Sequence, residues 1–333
     1  MTIPLEELTR FGIQPADELP HPFPATPDQE WWNESVFFDW YDAAGADAGH
    51  CRIGWHPNQQ RLWLWLYLWN GTEWIVIEET RLPLADMALP RIAYDRYGLA
   101  FSWTPTEPLR VGRLRVTGFG RVLSGARSGM ILPVACDLAV ETVGAAHSVG
   151  GSTVVGPDGA RYATDRFEQP IRVSGMVGVG DEQRTIQGRG ERDHSWGPRW
   201  WNMEWTVLVV HADALRLMSA RVHIPDVTQI SAGYIHRDRT CSLTGVDFDF
   251  TFDDTCVLRP VGGRATLTAD DGSVLAGAVE SITGAEIDLS HTFVPPRRSI
   301  YRRALVRFTP DGGVPLLGWV ESNRFPPAAA GAG

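Results

Sequence analysis

"RLWLWLYLW", residues 61–69, alternates without a break. Extended, it puts Leu62, Leu64, Leu66 and Leu68 on one side and Trp63, Trp65, Tyr67 and Trp69 on the other. A period of two argues for a strand and against a helix. Both sides are apolar, so neither can be left in water. Such a strand belongs to a sheet covered on both faces, with a packed core or a ligand cavity on one of them. "NGTEW" follows at residues 70–74, and Asn-Gly there supplies the positive φ values of a hairpin turn.

Short runs of the same kind recur along all 333 residues, with Gly, Pro, Asn and Asp between them, and helical periodicity is almost absent. "ESVFFDWYD", "CRIGWHP", "EWIVIEE" and "LRVGRLRVTG" read as strands early in the chain; "MEWTVLVVHA", "LRLMSARVHI" and "SIYRRALVRF" do so later. Many short strands at this spacing predict an all-β protein of antiparallel barrels or sandwiches. The weakly patterned, Gly- and Ala-rich stretch after residue 141 reads as a link between two domains. The expected organisation is an arm over 1–24, a first β domain over 25–165, a second over 166–325 and a flexible tail over 326–333.

Composition narrows the partners. Hydrophobic residues make up 44% and charged residues 21%, enough for a sizeable core. The net charge of -10 disfavours nucleic acid and anionic membrane surfaces. With no apolar run of spanning length and no signal-peptide pattern, a cytoplasmic location is expected. Cys51, Cys136, Cys241 and Cys256 form no CxxC, so reduced thiols are expected rather than zinc or redox chemistry; a Cys241–Cys256 pairing across neighbouring strands is the alternative. No dinucleotide, phosphate-loop or zinc-protease motif is present and the histidines are scattered, so no cofactor and no metal is expected. The 14 Trp exceed the 7 Tyr and the 6 Met, more rigid aromatic surface than a core needs.

One stretch carries concentrated chemistry: "GRGERDHSWGPRWW", residues 188–201. Gly197-Pro198 suggests that "RDHSWGPR" is a loop between two strands. There Asp193 would fix the tautomer of His194, or pair with Arg192 or Arg199. The plainer reading is a salt-bridged corner. Glu34, Phe38 and Trp40 share one face of "ESVFFDWYD", where an acid beside aromatic rings can serve as a proton donor. Tyr234 and His236 share a strand face in "YIHRD", as Arg221 and His223 do in "RVH".

"FEQPIRVSGMV…RTIQGRGERDHSWGPRWW" resembles the start of the second domain of the hydroxyneurosporene synthase (carotenoid hydratase)-like superfamily. "WNESVFFDWYD" with "RIGWHPNQQRLWLWLYLWNG" resembles its first domain, in particular that of its bacterial branch. The resemblance spans residues 30–323 and implies two lipocalin-like β domains. It also implies hydration, dehydration, isomerisation or cyclisation of a terpenoid- or steroid-like substrate without a redox cofactor. Members carry a His and a Trp two residues apart, matched here by His194 and Trp196. They also carry a Tyr and an Asp two apart; Tyr234 with His236, or Arg221 with His223, lies nearest, and neither supplies the Asp.

The expected site therefore has His194, Asp193 and Trp196 as catalytic residues. Its substrate-binding residues are Trp63, Trp65, Tyr67, Trp69, Glu34, Phe38, Trp40, Trp201, Tyr234 and His236. A carrier that binds an apolar ligand without chemistry is the alternative, and a module whose tryptophans only glue domains together is a third.

Overall fold

The computed structural model describes residues 3–22, 31–84, 92–149, 154–155, 161–162, 164–199, 201, 203–224, 228–253, 259–292 and 298–324. The protein is all-β, with two compact units that meet in sequence between residues 200 and 201. Helix is confined to α1 (Leu5–Leu8) and short 3-10 turns among the described residues, and no described helix is long and apolar enough to cross a membrane.

The first unit carries β1 (Trp32–Tyr41), β2 (Ala48–His56), β3 (Arg61–Trp69), β4 (Trp74–Pro83), β5 (Ile92–Arg96), β6 (Leu99–Glu107), β7 (Val111–Val122), β8 (Ile131–Thr142), β9 (His147–Ser148), β10 (Val154–Val155), β11 (Arg161–Tyr162), β12 (Asp165–Val179) and β13 (Glu182–Pro198). Its main sheet is antiparallel and runs β4-β3-β2-β1-β13-β12-β8-β7-β6-β5. Two further residue pairs, Ile75 with Val122 and Val76 with Arg121, join β4 to β7 and close a ring of eight strands. The β12–β13 hairpin is what completes the ring, because it fills the gap between β1 and β8. The sequence reading placed this hairpin in the second domain, with a boundary at 165/166. Its ladders lie in the first sheet, with β1 and β8 as its outer neighbours.

The leucines of β3 face the inside of the ring. Leu62, Leu64, Leu66 and Leu68 pack with Val36, Phe38, Trp40, Ile53 and Trp55 in one buried core. Trp63, Trp65 and Tyr67 are buried as well, on the outer face, so the strand is covered on both sides as its sequence requires. At the turn after β3, Gly71 alone takes a positive φ, of 89°. Asn70 acts through its side chain instead, accepting from the Thr72 and Glu73 amides at 3.1 and 2.7 Å.

The second unit is a closed barrel of β14 (Glu204–His211), β15 (Arg216–Ile224), β16 (Thr228–His236), β17 (Thr240–Asp253), β18 (Arg259–Ala269), β19 (Val274–Asp288), β20 (Ile300–Pro310) and β21 (Leu316–Asn323). Leu208, Leu217, Ile235, Phe248, Val306 and Val320 belong to its core. Cys51, Cys136 and Cys241 are free thiols, the first two in the first unit's core; the proposed pairing with Cys256 lies outside the described residues.

Candidate active site

The stretch expected to be a loop is a strand. β13 runs through to Pro198, with β1 on one side and β12 on the other. Even Gly197 and Pro198 stay in register with Asn33 and Trp32. Alternation then decides the site. Arg192, His194 and Trp196 point into the ring, opposite Phe38, Val36 and Glu34 of β1 and opposite Gln169, Phe167 and Asp165 of β12. Asp193 points outward and cannot orient His194.

The inward residues are charged or polar in an apolar ring, and each meets a specific partner. His194 Nε2 lies 2.6 Å from Glu34 Oε1, and neither side chain is exposed to any degree. The arm before β1 supplies a third group. His21 Nδ1 is 3.3 Å from the same Glu34 oxygen, and the His21 backbone N–H donates to Glu34 Oε2 at 3.3 Å. The His21 ring also lies flat on Trp196, with centroids 3.9 Å apart and planes 8° apart. Two residues along β13, Arg192 forms a two-pronged ion pair with Glu18 of the arm at 2.6 and 2.7 Å, and its Nε and Nη2 donate to Gln169 Oε1. Trp103 Nε1 and the Leu109 amide complete the shell of Glu18.

The protonation states follow from these contacts. Burial pushes the Glu34 carboxyl up, but the charge and hydrogen bonds of His194 and His21 outweigh it and hold it below its ordinary value. Glu34 is thus an acceptor, and the imidazole nitrogen of His194 that faces it carries the hydrogen. In the neutral ring that places the hydrogen on Nε2 and makes Nδ1 the nitrogen at which a proton is gained or lost. Nδ1 is buried and has no hydrogen-bond partner among the described residues. Around it stand the edge-on rings of Phe167 and Trp196, at centroid distances of 5.8 and 5.3 Å. A histidine held at one nitrogen by a carboxylate, with the other bare in a dry aromatic collar, can take and return a proton.

Two groups among the described residues bring metal-ligand atoms within 4.8 Å of one another: His21, Glu34 and His194, and Cys241, Asp270 and Asp271. The first answers the expectation that the histidines are scattered, since the fold gathers two of them on one carboxylate. Its 2.6 Å contact is that of a charge-assisted hydrogen bond. His194 Nδ1 also lacks the acceptor that normally orients a metal-bound imidazole. In the second group Asp271 already holds Arg239 at 2.7 Å and the Cys241 thiol at 3.5 Å. Neither arrangement fits a resident ion.

The other expected site residues divide. Phe38 and Trp40 share the inner face with Glu34 but pack in the core: Phe38 meets the Trp103 ring at 4.7 Å, and the Trp40 ring lies over Gly49. The indoles of Trp63 and Trp65 flank the Arg52 guanidinium at 5.8 and 5.0 Å on the outer face. Tyr67 donates to Glu78 at 2.6 Å, and Trp69 lies 5.5 Å from Trp74. The aromatic row of β3 is therefore no wall around His194. Asp193 pairs with Arg166 at 2.9 Å, not with Arg192 or Arg199 as expected. It stands opposite Glu168, whose carboxyl is pushed well above the ordinary range by burial, with Asp193 and Glu191 adding to the effect against the pull of Arg166. Trp201, Tyr234 and His236 belong to the second unit, where His236 Nδ1 meets Thr240 Oγ1 at 2.9 Å. A groove of about 480 Å³ in the first unit is lined by Glu141, Arg172, Gln187 and Arg189, not by the expected aromatics. Sequence reasoning missed Glu18, His21, Gln169 and Glu168. Only the prolines on either side of His21 in "LPHPFP" hinted at a fixed extended segment.

Residues 14–326 match the family described as domain of unknown function DUF7064. The chain belongs to this family. Comparison of this DUF7064 protein with curated proteins finds no match. Several solved structures resemble it over nearly its whole length. One is an AttH assignment from Nitrosomonas europaea, with TM-score 0.63, 16% identity, and 91% of this chain and 96% of that one covered. Kievitone hydratase from Nectria haematococca gives 0.58, 11%, 95% and 94%. CghA, solved with Sch210972, gives 0.56, 12%, 92% and 93%. At these identities the likeness is one of fold.

Proposed function

We propose that this DUF7064 protein is an enzyme that acts on an apolar small molecule by proton transfer, with His194 and Glu34 as its acid–base pair. The reaction class is addition or removal of water, or a related isomerisation or cyclisation. The observation that carries the reading is the buried His194–Glu34 contact of 2.6 Å, which leaves His194 Nδ1 bare inside an aromatic collar. A fold shared with a kievitone hydratase supports the class, as does the likeness of "HSWG" to the carotenoid hydratases.

His194, once Nδ1 has taken a proton from solvent while the arm is open, gives that proton to an alkene carbon. Glu34 keeps the Nε2 proton in place and steadies the imidazolium. Positive charge develops on the neighbouring carbon, where an indole face stabilises it by about 0.5–2 kcal/mol. Water adds to that carbon and returns a proton to Nδ1; dehydration is the reverse. Loss of a proton from carbon instead gives an isomer. None of these steps needs a redox cofactor. The closed ring keeps stray water from the cation. Because His194 is fully buried, the reading requires the arm over residues 3–22 to part from Trp196 as substrate enters.

The test is a screen of lipophilic metabolites, scored by mass spectrometry for gain or loss of one water and for deuterium taken up from heavy water. Wild type converts a component. Folded His194→Ala and Glu34→Gln lose about 100-fold or more in turnover. Full turnover by a folded His194→Ala protein would remove the assignment.

A further inference from the structure

We propose that His21, carried by the N-terminal arm, is a positioning residue that shares Glu34 with His194 and completes the acid–base pair only when the arm is seated. This rests on the functional reading above and extends the site to a segment outside the sheet.

The arm follows the inward side of β13 residue by residue. Glu18 takes Arg192, and three positions later His21 reaches Glu34 and Trp196. Glu18 is the anchor: it is buried and bound by Arg192 at both oxygens. His21 is the tip, and its contacts are of another kind. Its backbone N–H and its Nδ1 address the two oxygens of Glu34, so the carboxylate cannot rotate away from His194. Its ring closes one face of Trp196. It is 20% exposed where Glu34 and His194 are fully buried, so it bounds the site toward solvent. Pro20 and Pro22 flank it; the second biases His21 itself to an extended backbone, which lowers the entropy lost on seating.

The chemical consequence lies in the shared oxygen. Glu34 Oε1 accepts from two imidazoles at once. Serving His194 alone, it would hold the imidazolium more tightly and slow the return of the proton. Among the described residues, Glu18 from the arm and Arg192 from β13 also face this cluster and pair with each other, and Asp165 of β12 stands opposite Trp196. When the arm lifts to admit substrate, His21 leaves Glu34; when it settles, the pair regains its working balance. Closure and competence are thereby one event.

The experiment is NMR on protein labelled with nitrogen-15 in histidine, comparing wild type, His21→Phe and His21→Gln, with melting curves to confirm folding. His21→Phe keeps a ring on Trp196 but donates nothing. His21→Gln keeps a donor. The His194 Nε2 proton resonance should move downfield in His21→Phe, as Glu34 turns to a single imidazole, and stay near its wild-type position in His21→Gln. Once a substrate is in hand, kcat should fall about tenfold in His21→Phe, the equivalent of one pKa unit, with KM nearly unchanged. If the phenyl ring unseats the arm, His21→Ala gives the same readout. An unmoved His194 resonance in folded His21→Phe and His21→Ala overturns the proposal. Because the resonance needs no turnover, that failure is separate from failure of the His194 assignment, which the activity of His194→Ala decides.

Discussion

At the scale of single residues, the molecule places two acids in one apolar ring and gives each a different task. Glu18 is consumed by structure. Its carboxyl is pushed up by burial but pulled below its ordinary value of 4.5 by Arg192, then by His194 and Trp103. Removing one partner of such a pair leaves the other buried and uncompensated, so Glu18→Gln should cost about 3–5 kcal/mol. The pH dependence has a definite sign. A carboxyl depressed on folding stabilises the protein above its unfolded value, and that contribution is lost as pH falls through the folded one. Thermal melts of wild type should therefore weaken below about pH 4.5, while Glu18→Gln, already weak, loses less over that range. Equal acid sensitivity in both would contradict the account. Sequence pointed to His194, Trp196 and Glu34, because their residue types carry chemistry wherever they fall. It could not find His21 or Glu18, since what they touch depends on an arm whose path no periodicity reveals.

At the scale of elements, one strand explains the odd composition of "GRGERDHSWGPR". β13 is central and crowded. Gly190 sits where β1 presses in: an added Cβ would lie 2.0 Å from the Asp39 carbonyl oxygen. Gly190→Ala should therefore cost about 1–3 kcal/mol and lower the melting temperature; an unchanged melting temperature would mean that β1 and β13 stand further apart. Read locally, Gly197-Pro198 predicts a loop in which Asp193 and His194 converge. Ladders on both sides override that local preference, because a paired backbone outweighs weak propensity. The strict alternation of β3 was legible for the opposite reason: eight large apolar side chains leave no choice of period. Which face looks inward was not legible, since both are apolar.

At the scale of the whole molecule, the all-β, two-unit plan was readable from strand spacing, while the boundary was not. Composition drops in the stretch before β12, but the hairpin returns to fill the ring, and such a long-range pairing leaves no local mark. A chain ending at residue 164 lacks β12 and β13 and leaves β1 and β8 with open edges; it should aggregate or stay unfolded. A chain ending at residue 200 should retain a β-type circular dichroism spectrum and a cooperative melt. The reverse result would return the hairpin to the second unit. Whether the fold presents His194 as a carboxylate-held base is read from the nitrogen-15 shifts of its ring in the resting protein, followed over pH until the ring is neutral. The neutral ring should show a protonated Nε2 coupled to Glu34 and a bare Nδ1, with both features disturbed in Glu34→Gln. A protonated Nδ1 with a bare Nε2, unaffected by Glu34→Gln, would contradict it.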